Sequence, residues 1–207
     1  NFAADNGVFD SVAQGETLTL TYTITAVDSA ADHMSATQTI TVTITGTNDA
    51  PLVNIIDGDT YSADNLVEDA ILDAAGTLTI TDIDLSDDVV VTLNSQVDWT
   101  ATNPNIVIPD NDTLWSMLSI TQDYLAADQD QSSNNNLEWS FSASNGDFDS
   151  LAQGETLTLT YTITATDNSS DGATATQTIT IMIAGTNDVP VIGILESDSV
   201  DAGLTEE

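Results

Sequence analysis

Residues 17–25 read Thr17-Leu18-Thr19-Leu20-Thr21-Tyr22-Thr23-Ile24-Thr25, an unbroken alternation of threonine with an apolar side chain. Period two is the signature of a half-buried β-strand, with one face on a core and the other in water. Residues 37–45 do the same, from Thr37-Gln38-Thr39-Ile40 to Thr43-Ile44-Thr45. Strands are therefore expected at 17–27 and 37–45, joined as a hairpin. Threonine is β-branched and favours strands. It also makes the outer face polar without charging it.

That matters because of the composition. The 207 residues carry 34 Asp plus Glu and no Lys or Arg, for a formal net charge of −34. No basic side chain can neutralise a phosphate, which excludes nucleic acid as a partner, and an anionic membrane surface is excluded on the same ground. Carboxylates that crowd together must turn to metal cations, water or backbone N–H groups, or their pKa values rise. Hydrophobic residues make up 41% and are regularly spaced, which speaks for a folded chain rather than an acidic disordered tail. There is no Cys, so disulfides and thiolate metal sites are excluded. No apolar run approaches the 18 or so residues of a membrane helix. The chain opens on Asn1-Phe2-Ala3 without Met, and the expectation is a window from a longer array.

An internal repeat sets the domain organisation. Residues 6–51 and 145–190 align without a gap at an offset of 139 and are identical at 33 of 46 positions. Phe2 and Phe141 match at the same offset. Strands are thus expected again at 156–166 and 174–184. Unit boundaries fall at Gly46-Thr47-Asn48-Asp49-Ala50-Pro51 and Gly185-Thr186-Asn187-Asp188-Val189-Pro190, both of turn and linker chemistry. The expected domains are 1–49, the C-terminal part of one repeat; 50–188, a complete unit; and 189–207, the start of the next. Linkers this short should make successive units abut. Further strands are expected at 52–56, 76–82, 88–94 and 137–143, and several short strands per unit point to a β-sandwich. Tyr161, with Tyr22 as its counterpart, is a tyrosine-corner candidate; the plainer alternative is a half-buried strand tyrosine. Residues 95–136 break the pattern. They are rich in Asn, Asp, Ser and Gln, hold Trp99, Trp115 and Tyr124, and leave room for a short helix within 113–127 or an irregular cap.

Acidic groups recur near the ends of a unit. They are Asn48-Asp49, repeated as Asn187-Asp188; Glu68-Asp69, repeated as Glu206-Glu207; and Asp82-Ile83-Asp84-Leu85-Ser86-Asp87-Asp88. Aspartates two apart can converge on one ion in a turn that leaves a strand. Calcium takes six to eight oxygen ligands from carboxylates, amides and carbonyls, and an all-oxygen set favours it over zinc or copper. The candidate metal residues are therefore Asn48, Asp49, Glu68, Asp69, Asp82, Asp84, Asp87, Asn187, Asp188, Glu206 and Glu207; the alternative is a solvated acidic loop. Asp167, Asn168 and Asp171, matched by Asp28 and Asp32, form a second cluster that reads first as turn chemistry in the hairpin. Neither the twelve-residue EF-hand loop nor the glycine-rich nonapeptide roll is present.

Three stretches then carry a family resemblance. They are Gly76-Thr77-Leu78-Thr79-Ile80-Thr81-Asp82-Ile83-Asp84, Leu151-Ala152-Gln153-Gly154-Glu155-Thr156-Leu157, and Gly185 to Pro190. In this order the unit resembles the cadherin-like VCBS repeat of large bacterial RTX-type surface adhesins. The resemblance implies tandem immunoglobulin-like (cadherin-like) β-sandwiches with Greek-key strands, located extracellularly on a bacterial cell surface. It implies Ca²⁺ at the joints, with Asn48 and Asp49 as linker ligands, Glu68 as strand-edge acid and Asp82 and Asp84 as the D-x-D pair. Partners would be neighbouring repeats of the same chain and other copies in a fibre, with no membrane insertion. The 139-residue unit exceeds the common module, so 95–136 reads as a loop-rich insertion.

The function expected is a calcium-stiffened structural extender of an adhesin or surface fibre. The alternative is a module that recognises glycan or another surface polymer through the aromatic-containing insertion, although core packing is the commoner fate of such aromatics. Enzyme readings fare worse. His33 is the sole histidine and its repeat counterpart is Gly172, so a Ser-His-Asp triad has no base. Paired carboxylates of the glycosidase kind would have to be repeated with the unit. Asn111-Asp112-Thr113 and Asn168-Ser169-Ser170 match the glycosylation pattern, which is too short to decide anything.

Overall fold

The computed structural model describes residues 2–5, 7–84, 86–126, 134–190 and 192–193. Two elements lie before the first linker: β1 (Thr17–Val27) and β2 (Ser35–Thr45). After it come β3 (Leu52–Asn54), β4 (Ser62–Val67), β5 (Leu72–Thr81), β6 (Val89–Leu93), β7 (Asp98–Ala101), a one-and-a-half-turn helix α1 (Asn111–Ser116), β8 (Leu118–Ile120), β9 (Tyr124–Leu125) and β10 (Leu137–Ala143). The unit closes on β11 (Thr156–Asp167) and β12 (Thr174–Ala184). Among the described residues no helix is long and apolar enough to cross a membrane.

β3 to β12 form an immunoglobulin-like sandwich of two sheets, in the order β3-β5-β10-β8 and β4-β12-β11-β6-β9, with β7 also on β11. The core between them is built from the alternating positions. Leu157, Leu159, Tyr161, Ile163 and Ala165 of β11 and Ile179, Ile181 and Ile183 of β12 are wholly buried. They face Leu72, Leu78 and Ile80 of β5 and Leu137, Trp139 and Phe141 of β10 in one cluster. Burial of a side chain of this size contributes about 1.5–3 kcal/mol. The long β11 serves two partners on one edge: its first half pairs with β7 (Leu157 opposite Ala101) and its second with β6 (Ile163 opposite Leu93).

The strands expected from alternation are all present, within a few residues of their bounds. Among their described residues, 95–136 are loops punctuated by three short strands and α1. β7 and β9 extend the larger sheet and β8 the smaller one, so the segment is woven into both layers. The helix is shorter than 113–127. Asp110 caps it, accepting from the Thr113 N–H at 2.9 Å, and the chain returns to strand at Leu118. The three aromatics of the segment are not core residues: Trp99, Trp115 and Tyr124 are 41%, 42% and 50% exposed. Trp139 takes the buried place, with its indole N–H on the Thr60 carbonyl at 2.7 Å. Tyr161 is no local corner and not half-buried. It is fully enclosed, and its hydroxyl donates to the carbonyl of Leu114 in α1 at 2.8 Å, tying the hairpin to the helix. Burial pushes its phenol up from the usual range. His33 and Gly172, mismatched in the repeat, both lie at positive φ (49° and 56°) in the hairpin turns, which explains why glycine stands in one of them.

Candidate metal centre at the two ends of the sandwich

The two linkers start from the same anchor. Gly46 N–H donates to the Glu16 carbonyl at 3.0 Å and Gly185 N–H to Glu155 at 2.9 Å. A Cβ on Gly185 would lie 2.4 Å from the Ala152 carbonyl oxygen, and on Gly46 only 1.9 Å from that of Val12, so both positions exclude any side chain. From there the first linker runs to the end of the complete unit at which β5 stops and β11 turns into β12.

At this near end several of the sequence candidates meet. Asp49 N–H donates to Asp84 Oδ2 at 2.7 Å, and Asp84 N–H donates to Asp82 Oδ1 at 3.0 Å. Asn48 Nδ2 donates to Asp167 Oδ2 at 3.0 Å, across 119 residues. Asp82, Asp84 and Asp167 are buried. The Asp84 Oδ1 and Asn48 Oδ1 oxygens are buried and accept no hydrogen bond. Burial is the main force on the acids here; a backbone N–H opposes it at Asp82 and Asp84, and like charge adds to it at all three. Burial drives Asp82 up to about 6, helped by Asp84, Asp167 and Asp87. It raises Asp84, helped by Asp49, Asp167 and Glu16, and Asp87, helped by Asp84, Asp167 and Glu16.

Glu68 and Asp69 do not join them. They sit at the far end of the unit, against the second linker. Glu68 is 1% exposed; its Oε1 accepts from Thr186 N–H at 2.6 Å, and its Oε2 is buried and accepts nothing. Thr186 Oγ1 donates to Asp69 Oδ2 at 2.8 Å. Burial raises Glu68 above the usual carboxylate range, and the charges of Asp188 and Asp69 add to it. Asn187 and Asp188 are exposed; the Asn187 amide turns to the Asp188 carbonyl at 3.3 Å. Glu206 and Glu207 lie outside the described residues.

Two residues of the near end escape the sequence reading. Asp167 belongs with the linker cluster rather than with Asp171, and Glu16 of the preceding strand entry adds its charge to Asp84 and Asp87. Asp171 instead accepts from Gln14 Nε2 at 2.8 Å, and Ser170 Oγ donates to Gln14 Oε1, so one exposed glutamine clasps the hairpin tip of the next unit. Asp28 accepts from the Ala30 N–H at 3.0 Å, the turn chemistry expected of it.

Among the described residues no three His, Cys, Asp or Glu side chains are gathered closely enough to hold a metal ion by themselves. The near end offers an all-oxygen set in which buried carboxylates are mixed with an amide without a basic partner, and the far end offers the buried Glu68 beside the exposed Asp69, Asn187 and Asp188. Buried acceptors left over at Asn48, Asp84 and Glu68 suit a hard cation. Among solved structures, the chain is similar to the Protocadherin GammaB4 extracellular domain at 15% identity and a TM-score of 0.40, over 81% of this chain and 22% of that chain. It is similar to the Protocadherin gammaB7 EC3-6 cis-dimer structure at 16% identity and a TM-score of 0.41, over 81% of this chain and 33% of that one. The chain thus spans a third or less of the length of these two. No family model and no curated protein matches its sequence.

Proposed function

We propose that this chain is a spacer of abutting β-sandwich units in an extracellular adhesin or surface fibre, stiffened by calcium at each joint. The observation that supports it is the complementarity of the two ends. One end has the linker bonded to Asp84 and Asp167, with Asp82 and Asp87 beside them; the other has Glu68 and Asp69 bonded to the next linker. Asn48-Asp49 and Asn187-Asp188 are the same position one repeat apart. Laid over each other through that position, the two ends add up to one joint, with acids from both neighbouring units and from the linker between them. Each end alone is half a site. That accounts for buried acceptors where, among the described residues, no trio of acids surrounds one point. Calcium would be held by Asn48, Asp49, Asp82, Asp84, Asp87 and Asp167 on one side and by the Glu68 and Asp69 equivalents on the other. It would turn mutual repulsion into a bridge and fix the angle between units. The bacterial surface setting rests on the family resemblance in the sequence.

The test is thermal melting and small-angle scattering with calcium and with EDTA. It is run on this chain and on a chain extended by residues 51–139 in front of Asn1, which supplies the missing Glu68 and Asp69. A ligand at a hundred times its Kd stabilises by about 2.7 kcal/mol. Calcium should raise the melting temperature and lengthen the particle, more in the extended chain, and Asp84→Asn should abolish the gain. Identical melting and scattering with and without EDTA in both chains would sink the reading.

A second reading has one observation in its favour. Trp99, Trp115 and Tyr124 are half exposed where core packing would have hidden them. Aromatics of this kind stack on sugars, and loss of glycan or surface-polymer binding in Trp99→Ala or Trp115→Ala, with melting unchanged, would support a binding module.

A further inference from the structure

The β1–β2 hairpin carries an apolar face that it does not bury. Tyr22, Ile24 and Ile40 are 47%, 53% and 46% exposed, whereas their repeat counterparts Tyr161, Ile163 and Ile179 are at 0%. Phe2 lies on this face with its ring 6.3 Å from that of Tyr22, as Phe141 lies 6.2 Å from Tyr161. Beside the pair is a hollow of about 400 Å³ lined by Phe2, Ala3, Tyr22, Ile40 and Val42. The face is uncharged, in a chain whose formal net charge is −34. In the complete unit the matching face is covered by β5, β10 and α1, and Leu114 of α1 supplies the carbonyl that Tyr161 needs.

The segment 52–143 of the same chain cannot cover both hairpins, and linker length decides which one it takes. Its first strand starts at the tip end of β11–β12, where Asp49 meets Asp84 and Asn48 meets Asp167. To cover β1–β2 in the same way, Leu52 would have to reach the tip of that hairpin, near Asp28. Thr45 stands at the opposite end of an 11-residue strand, about 33 Å away. Seven residue steps separate Thr45 from Leu52 and span at most about 25 Å. A half-sandwich therefore pairs with the hairpin that follows it and never with the one before.

We propose that the apolar face of β1–β2 is the docking surface for a half-sandwich with the sequence pattern of residues 51–139, α1 included, carried on the N-terminal side of the hairpin. The proposal rests on the tandem-unit part of the function above and not on calcium, so its test is run in EDTA. Residues 51–139 are fused in front of Asn1, which continues the 139-residue period without a gap, and amide exchange is followed in both chains. In the fusion the amides of 18–24 and 40–44 should slow by more than about a hundredfold, towards those of β11 and β12, which serve as internal reference. Tyr22→Phe should lower the melting temperature of the fusion and leave that of the 207-residue chain alone. Ile24→Asp should restore fast exchange in the fusion while β11–β12 stays protected. Unchanged exchange in the fusion overturns the proposal. So does sedimentation of the 207-residue chain as a dimer that Tyr22→Asp dissociates, which would assign the face to a second copy.

Discussion

β1–β2 and β11–β12 are close to the same hairpin in two environments. Tyr22 pairs with Ile40 and Tyr161 with Ile179, and every rung keeps the offset of 139. Yet β11 alternates buried and half-buried along its whole length while β1 is mostly exposed. Pairing and register thus belong to the hairpin itself, through its turn and its threonine ladder, whereas burial is conferred from outside. The stabilisation that holds the sandwich together lies in the second contribution. A hairpin alone is marginal in water, and three or more strands with a covered face are needed for independent stability.

Four experiments break or sharpen this comparison. The largest effect is expected from matched core truncations. Ile163→Ala should cost about 2–5 kcal/mol in chemical denaturation, as buried Ile-to-Ala changes do, and Ile24→Ala no more than about 0.5 kcal/mol. Equal losses would mean that both faces are buried in solution. Next comes pH, which should act through one hairpin only, because buried acids gather at the tip of β11–β12 and not at that of β1–β2. The folded protein holds Asp82 up to about 6, above its unfolded value of 3.8. Folding therefore favours the protonated form. Metal-free stability should be greatest below about pH 4 and fall as pH rises through 6, by on the order of 2 kcal/mol. Calcium, which needs the ionised acids, should reverse that slope. Urea titrations at pH 4 and 7, with EDTA and with calcium, read both signs, and a metal-free protein that gains stability towards pH 7 contradicts the burial of Asp82. Smaller again is Tyr161→Phe, which removes the hydroxyl bond to the Leu114 carbonyl but leaves that carbonyl the Met117 N–H; it should cost about 1 kcal/mol, against none for Tyr22→Phe in this chain. The smallest is Gln14→Ala. Removing an exposed clasp should change stability by a few tenths of a kcal/mol at most. It should instead widen the distribution of angles between the first hairpin and the sandwich, measured by residual dipolar couplings; an unchanged distribution would show that the linker alone sets the angle.

Most of the strand framework is legible in the sequence because Thr-apolar alternation is strong and occurs twice. What alternation does not encode is missed. β4 reads Ser-Ala-Asp-Asn-Leu-Val, with no period, because it lies beside β12 as a parallel edge. β7, β8 and β9 are two to four residues long and take their form from neighbours already in place. The acids near the linker are readable as a group, since they cluster at unit ends. Their division between two ends is not, because Glu68 and Asp82 are close in sequence while β5 runs the length of the sandwich between them. Asp167 was beyond reach for the opposite reason: 119 residues separate it from Asn48, and its local setting reads as an ordinary turn.

The parallel pairing of β4 with β12 has a mechanical consequence. Tyr61, just before β4, accepts from Thr180 N–H, and Glu68, just after it, donates to the Ala184 carbonyl, so bonds tie the two strands at both ends. β4 lies near the start of the unit and β12 at its exit, side by side and pointing the same way. Tension along the polypeptide pulls one strand back by its beginning and the other forward by its end. That load falls in shear, on all the bonds together, instead of unzipping them one by one. A unit wired in this way yields late and abruptly, and the antiparallel hairpin behind it is reached only after the seam has failed.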